Sequence, residues 1–472
     1  MKRYLFIFLA SFQLVACSGQ GNSSSVKLNK EDVSKKTDDI VKEYIDLGIF
    51  SGVVLISEQG EPFYKKAFGL ANRETNTPNT LETKFVIGSM NKDFTRVIIL
   101  QLVDEGKLHF DSKMDDFLDG FEQKQANNIT IDHLLNHSSG FGDYHNPDYF
   151  KLPYDKKNIQ GILPVIKGMD LMFPPGAENE YSNAGYIILG AIIEKVTGKS
   201  YALNVEERIA KPLKLESIVT YNVKEIPNRA IGYIKTFNGY EDNNEFISEP
   251  RSDGGFYSNV FDIHKFYKTY LHTNQLFSKE VRDKDSFFKH ISSVYNEKGA
   301  GIPLAGGFNG ANTVHLEMLA DDISIVVFAN MDEPVAEKIA IGILNIINGK
   351  QPEKPLLPAK LNVYKYYKES GIEYVKENFE ELTSNWFEGD PKDRILNNLG
   401  YDLFFDNKLD EALDIFKLNT ELFPNIGNCW DSYGEALLKT GRNDEALQAY
   451  KKALQINPNI PSAKKAVKEL EK

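Results

Sequence analysis

The sequence predicts a mixed α/β (α+β) domain, an antiparallel sheet flanked by helices and carrying a helical insertion, followed by an all-helical segment. Three observations predict it. Gly52–Ser57 (GVVLIS) and Ile323–Asn330 (ISIVVFAN) are uninterrupted, β-branched runs flanked by turn residues, the pattern of central strands covered on both faces. Between them lie amphipathic stretches at helical spacing, notably Asp93–Glu105 and Ala184–Thr197, the second ending at Gly198 as a C-cap. Beyond the proline-punctuated Gln351–Pro358 the strand pattern vanishes. Early and late strands that bracket a helical middle predict one antiparallel sheet closed by both ends of the domain.

At the N-terminus, Lys2 and Arg3 precede an apolar run from Tyr4 to Ala10, and Leu14-Val15-Ala16-Cys17 closes the segment with small residues before a cysteine. This is the layout of a cleaved signal peptide over residues 1–16. Leu-Val-Ala-Cys resembles a bacterial lipobox, which implies that Cys17 is lipidated and becomes the first residue of a membrane-anchored protein on the periplasmic or another extracytoplasmic face. Residues 17–29, rich in Ser, Gly and Asn, read as a flexible tether. The other cysteine is Cys429, so a lipid on Cys17 leaves no intrachain disulfide. The expected division is then a domain over 30–350, a linker over 351–360 and a helical domain over 361–472.

Composition narrows the function only by exclusion. Acidic residues outnumber basic ones, 67 to 55, for a formal charge of -12, and no basic patch is evident, so no nucleic-acid partner is expected. No metal and no cofactor is expected.

The helical segment repeats. At an offset of 34 residues Gly400 aligns with Gly434, Asp410-Glu411-Ala412-Leu413 with Asp444-Glu445-Ala446-Leu447, Phe416 with Tyr450, and Pro424-Asn425 with Pro458-Asn459. This resembles tetratricopeptide repeats, in which small residues let paired helices approach and proline ends the second helix. Two repeats and a last helix (Ser462–Lys472) are recognisable, with Tyr364–Leu382 as an atypical first unit. A protein partner is one use of such an array; plain packing is the other.

The chemistry starts from Ser-x-x-Lys, which on a helix puts hydroxyl and amine on one face. A desolvated lysine then serves as base to the serine. The motif occurs four times, as Ser24/Lys27, Ser89/Lys92, Ser286/Lys289 and Ser462/Lys465. Only Ser89 follows a short extended entry (Phe85-Val86-Ile87-Gly88) and opens a long amphipathic helix, which places its hydroxyl at a helix N-terminus. Tyr-Ser-Asn occurs twice, at 181–183 after Phe173-Pro174-Pro175-Gly176 and at 257–259 after Gly254-Gly255-Phe256. A tyrosine beside the pair relays a proton and an asparagine orients the lysine or substrate; spacing alone does not choose between the copies.

Phe85 through Lys92, Leu134-Leu135-Asn136-His137-Ser138-Ser139-Gly140, and Pro174-Pro175-Gly176 through Tyr181-Ser182-Asn183-Ala184-Gly185-Tyr186 together resemble the β-lactamase-related serine hydrolases. This is the branch of class C β-lactamases, low-molecular-weight penicillin-binding proteins and esterases. The resemblance spans roughly Lys30–Asn348. It implies Ser89 as nucleophile, Lys92 and Tyr181 as its acid/base partners, and Asn183 as the orienting amide. It also implies an oxyanion hole from the backbone N–H groups of Ser89 and Gly307. It assigns Tyr257 to a structural segment and His137 to a structural turn; no Gly-x-Ser-x-Gly elbow surrounds Ser89.

The sequence departs from the family at its third motif, a Lys or His followed by any residue and Gly. The matching place is Leu304-Ala305-Gly306, and Leu304 removes the cation that helps bind a substrate carboxylate. His315 is a candidate replacement. The expected function is therefore hydrolysis of an ester or amide in a small molecule or peptide through a Ser89 acyl-enzyme. A catalytically degenerate binding protein, and a true β-lactamase or DD-peptidase, are the alternatives.

Overall fold

The computed structural model describes residues 28–122, 125–332, 334–385 and 390–472. The signal peptide, Cys17 and nearly all of the tether lie outside the described residues. Two compact units result, one of residues up to 235 with 240–354, the other of 236–239 with 355–472.

In the first unit, α1 (Lys30–Asp46) leads into strands β1 (Gly52–Glu58) and β2 (Glu61–Phe68). After a helix-rich middle containing α2 (Asn91–Asp104), α3 (Asn183–Thr197) and α4 (Val260–His272), the chain returns as β3 (Ile302–Phe308), β4 (Ala311–Met318) and β5 (Ile323–Ala329), then α5 (Val335–Ile347). The strands form one antiparallel sheet in the order β2-β1-β5-β4-β3. First and last meet at its centre, with Gly52 opposite Ala329 and Ile56 opposite Ile325.

The uninterrupted apolar runs are explained by cover on both faces. Val53, Leu55, Val326 and Phe328 join a core with Phe94 and Ile98 of α2 and with Phe266 of α4. The alternate residues Val54, Ile56, Ile325 and Val327 are equally buried, on the side where α5 packs on β4 and β5 and α1 packs on α5. Gly198 ends α3 in the left-handed conformation, at φ +68°.

In the second unit, Asp393–Phe405, Leu409–Leu422, Gly427–Lys439, Asn443–Ile456 and Pro461–Leu470 are helices, each packed on the next. The repeat's glycines have a packing cause. A Cβ at Gly400 would stand 2.5 Å from the Phe416 ring, and one at Gly434 3.0 Å from the Tyr450 ring, so each Gly–aromatic pair is conserved across the offset as a close helix crossing. The atypical first unit is a helix over Ala359–Glu377, broken at Gly371, and a short one over Phe379–Leu382. Cys429 is buried, and burial pushes its thiol up to about 12. Among the described residues no helix is long and apolar enough to cross a membrane.

Candidate active site

The entry to Ser89 is a two-residue strand, Phe85–Val86, paired antiparallel with Tyr257–Ser258. Ile87 N–H extends that contact to Phe256 O at 2.8 Å. A 3-10 turn over Gly88–Met90 then joins α2, so Ser89 sits one turn before the α-helix and makes no capping bond of its own. Its hydroxyl is half-buried. Gly88 is left-handed at φ +51°, and a Cβ there would lie 2.7 Å from Gly307 O. A Cβ on Gly306 would lie 2.0 Å from Ile87 O and 2.7 Å from Ser89 N. Two glycines thus let the β3 backbone press directly on the serine turn.

The structure brings four of the sequence-predicted residues together. Lys92 Nζ lies 3.1 Å from Ser89 Oγ and donates to Asn183 Oδ1 at 2.8 Å and to Asp253 O at 2.5 Å. Tyr181 donates its O–H to Ser89 Oγ at 2.6 Å, and its ring lies 4.9 Å from the Lys92 Nζ. Lys92 is only 6% exposed, so its amine is largely removed from water while the serine is reachable. Asn183 opens α3, whose N-cap is Ser182, accepting from Gly185 N–H at 2.9 Å. This arrangement has the parts of an acyl-transfer site: a nucleophile, two groups able to move its proton, and a backbone edge beside it.

Residues 37–345 match the profile of the Beta-lactamase family. The chain belongs to that family. Its members are serine hydrolases. Residues 427–460 match the Tetratricopeptide repeat profile. The chain is 28% identical to Penicillin-binding protein 4* of Bacillus subtilis over 66% of its own length and 75% of the relative. It is 26% identical to the Teichoic acid D-alanine hydrolase of Staphylococcus aureus, over 62% and 79%. The octameric penicillin-binding protein homologue from Pyrococcus abyssi superposes with a TM-score of 0.58 at 25% identity, over 72% of this chain and 82% of that one.

Leu304 is turned into the core that holds Val326 and Phe328. Its cross-strand partner is His315; Ala305 pairs with Val314, Gly306 with Thr313 and Gly307 with Asn312. His315, read from the sequence as a candidate cation, does not serve as one at the site. It is fully buried, its Nε2 is 2.8 Å from Glu317 Oε2, and burial lowers its pKa. Among the described residues the other serine–lysine matches bond elsewhere. Ser286 Oγ bonds Asp132 while Lys289 Nζ bonds Lys284 O, Ser462 bonds Asp431, and Ser24/Lys27 lie outside the described residues.

His137 packs behind the tyrosine. Its ring stacks on Tyr181 with centroids 4.8 Å apart, its Nδ1 accepts from Ser182 N–H at 3.1 Å, and its carbonyl accepts from Glu180 N–H at 2.9 Å. Burial, then the charge of Lys92, pushes its pKa down to about 3, so the imidazole is neutral with its proton on Nε2. It holds the backbone on both sides of Tyr181 and does not reach Ser89 as a base.

Sequence reasoning missed an outer layer. Asp143 Oδ1 accepts from Asn183 Nδ2 at 3.1 Å and lies 2.7 Å from His145 Nδ1. Burial works to raise the Asp143 pKa, and the bonds from His145 and Asn183 outweigh it, leaving the carboxyl below its ordinary value. The buried Asp253 carboxylate accepts from Tyr144 O–H at 2.6 Å and from Arg251 Nε at 3.3 Å, which steadies the carbonyl that Lys92 bonds. A carbonyl acceptor has no side-chain signature, and Gly142-Asp143-Tyr144 has no spacing characteristic of a site; its closeness to His137-Ser138-Ser139-Gly140 is the one signal in the sequence.

Among the described residues His272, Glu317 and Asp322 bring three ligand atoms within 4.8 Å of one another. The Lys268 ammonium bonds both carboxylates, and His272 and His315 bond Glu317 at 2.6 and 2.8 Å. Burial alone would raise Glu317; the hydrogen bonds from the two histidines hold it well below the carboxylate range. A lysine already occupies the place of a cation, and the group is an internal ion-pair network.

Proposed function

We propose that the protein is a lipid-anchored hydrolase that cleaves an ester or amide through an acyl-enzyme on Ser89. The observation that carries this is the Ser89 Oγ held by both Lys92 Nζ and Tyr181 O–H. Lys92, acting in its amine form, takes the serine proton as Oγ bonds the acyl carbon. The Ser89 and Gly307 N–H groups receive the developing oxyanion. Tyr181 passes a proton to the departing oxygen or nitrogen, and a water then releases the acyl group by the reverse path.

Leu304 bears on the substrate. Without a cation on β3, an acyl donor that presents no carboxylate fits better than a penicillin or a D-Ala-D-Ala terminus. Aminoacyl esters have that property, since the acyl group carries an ammonium; the similarity to a teichoic acid D-alanine hydrolase supports a small aminoacyl ester as substrate. The lipobox-like Leu14-Val15-Ala16-Cys17 supports anchoring at the extracytoplasmic face, with the repeats available to a protein partner.

A fluorophosphonate probe is expected to label the wild type and not Ser89→Ala; equal labelling of both overturns the reading. Leu304 also favours a second reading, a binding protein on a degenerate scaffold. Turnover of p-nitrophenyl esters that disappears in Lys92→Ala removes it, and acylation by fluorescent penicillin would restore the β-lactamase or DD-peptidase alternative.

A further inference from the structure

We propose that Asp143 is a positioning residue that sets the orientation of the Asn183 amide and, through it, keeps Lys92 in register with Ser89. The inference rests on the reading of Ser89 as nucleophile and Lys92 as its base.

An asparagine amide has a donor end and an acceptor end of nearly equal size, so shape does not choose between its two flips. Here the surroundings choose. Lys92 Nζ, 2.8 Å from Oδ1, is a donor in its ammonium form and requires the oxygen. The Asp143 carboxylate, 3.1 Å from Nδ2, only accepts and requires the N–H. Flipping Asn183 would set N–H against the ammonium and oxygen against the carboxylate, losing both bonds at once in a site largely shielded from water.

Asp143 is itself held. His145 Nδ1 lies 2.7 Å from its Oδ1, and between them Tyr144 is anchored by its bond to Asp253 Oδ2. The carbonyl of that same Asp253 is the third partner of Lys92 Nζ. The 143–145 stretch, which belongs to no helix or strand, therefore grips the lysine along two paths, through Asn183 and through Asp253.

The arrangement also bears on the proton transfer. When the Ser89 proton moves to Lys92, a positive charge appears on Nζ. An amide whose N–H is bonded to a carboxylate is a better acceptor at its oxygen, so the negative charge of Asp143 supports that ammonium at one remove. Asp143 neither gains nor loses a proton in the step.

The test measures pre-steady-state acylation of the full-length protein by p-nitrophenyl acetate, after fluorophosphonate labelling has identified the reacting residue. Labelling that survives Ser89→Ala defeats the underlying reading; with labelling at Ser89 established, the variants judge Asp143 alone. Asp143→Ala is expected to slow acylation by about 10²-fold with KM within about twofold, the scale of a misplaced catalytic group. Asn183→Asp sets two carboxylates face to face and is expected to lose at least as much. The exchanged pair, Asp143→Asn with Asn183→Asp, restores an N–H facing a carboxylate and an oxygen facing Lys92. It is expected to acylate at least about tenfold faster than Asn183→Asp alone, a coupling of ordinary size for adjacent groups. Asp143→Ala acylating at the wild-type rate, or an exchanged pair no faster than Asn183→Asp, overturns the proposal. A residue needed only for folding would give no such recovery.

Discussion

Tyr181-Ser182-Asn183 and Tyr257-Ser258-Asn259 are the same tripeptide, each leading into a long helix, yet they meet different surroundings. In the first copy Ser182 is the N-cap of α3, and Asn183 opens the helix with its side chain turned to Lys92. In the second the cap falls one residue later, on Asn259, whose Oδ1 accepts from Asp262 N–H at 3.0 Å. Tyr181 stands before its helix, half-buried, with its hydroxyl on Ser89. Tyr257 is locked in the strand opposite Val86, 2% exposed, and burial raises its pKa. A shift of one residue in the helix start thus decides whether the asparagine is spent on the backbone or left for chemistry.

The largest expected break in this symmetry comes from removing each hydroxyl. Tyr181→Phe is expected to lower kcat for a p-nitrophenyl ester by about 10²-fold or more, the usual contribution of a placed proton donor. Tyr257→Phe should leave kcat within about twofold. Equal losses in the two variants would erase the distinction.

A smaller effect separates the copies by pH, because His137 stacks on the first tyrosine and is buried neutral. Its folded pKa of about 3 is below the ordinary 6.5. The unfolded chain therefore binds the extra proton first, and stability present above pH 6.5 is lost as pH falls toward 3. The expected slope in this window is about 1.4 kcal/mol per pH unit from this residue. Urea unfolding across that range should show a shallower decline in His137→Gln than in the wild type.

The smallest effect sharpens the assignment of the caps. Asn259→Ala is expected to cost about 1 kcal/mol of stability with kcat unchanged. Thermal unfolding and ester turnover on the same samples read both quantities.

Much of this was legible in the sequence for identifiable reasons. The central strands announced themselves because cover on both faces demands unbroken apolar runs, and β1 and β5 have it. The repeat showed because Gly400 and Gly434 must each admit an aromatic ring. The order of Ser89, Lys92, Tyr181 and Asn183 was readable because side chains that meet in space were spelled in motifs. Legibility ended where a contact is made by backbone or by a loop without period. The Asp253 carbonyl, the Asp143–His145 pair and the 3-10 turn carrying Ser89 fall there, and so does the burial that removes His315 from the site. The lipobox around Cys17 remains an expectation read from residues 14–17.

The contact of Gly88 with Gly306 has a consequence in time. Ser89 and Lys92 belong to the first quarter of the chain, but the edge they lean on is β3, which takes its place only through β4 and β5 beside β1. A ribosome that has delivered the serine and lysine has therefore delivered no working site. Until residue 329 has been added and the sheet has closed, Ser89 lacks its neighbouring backbone edge, and the growing chain carries the parts of the site in an inert order.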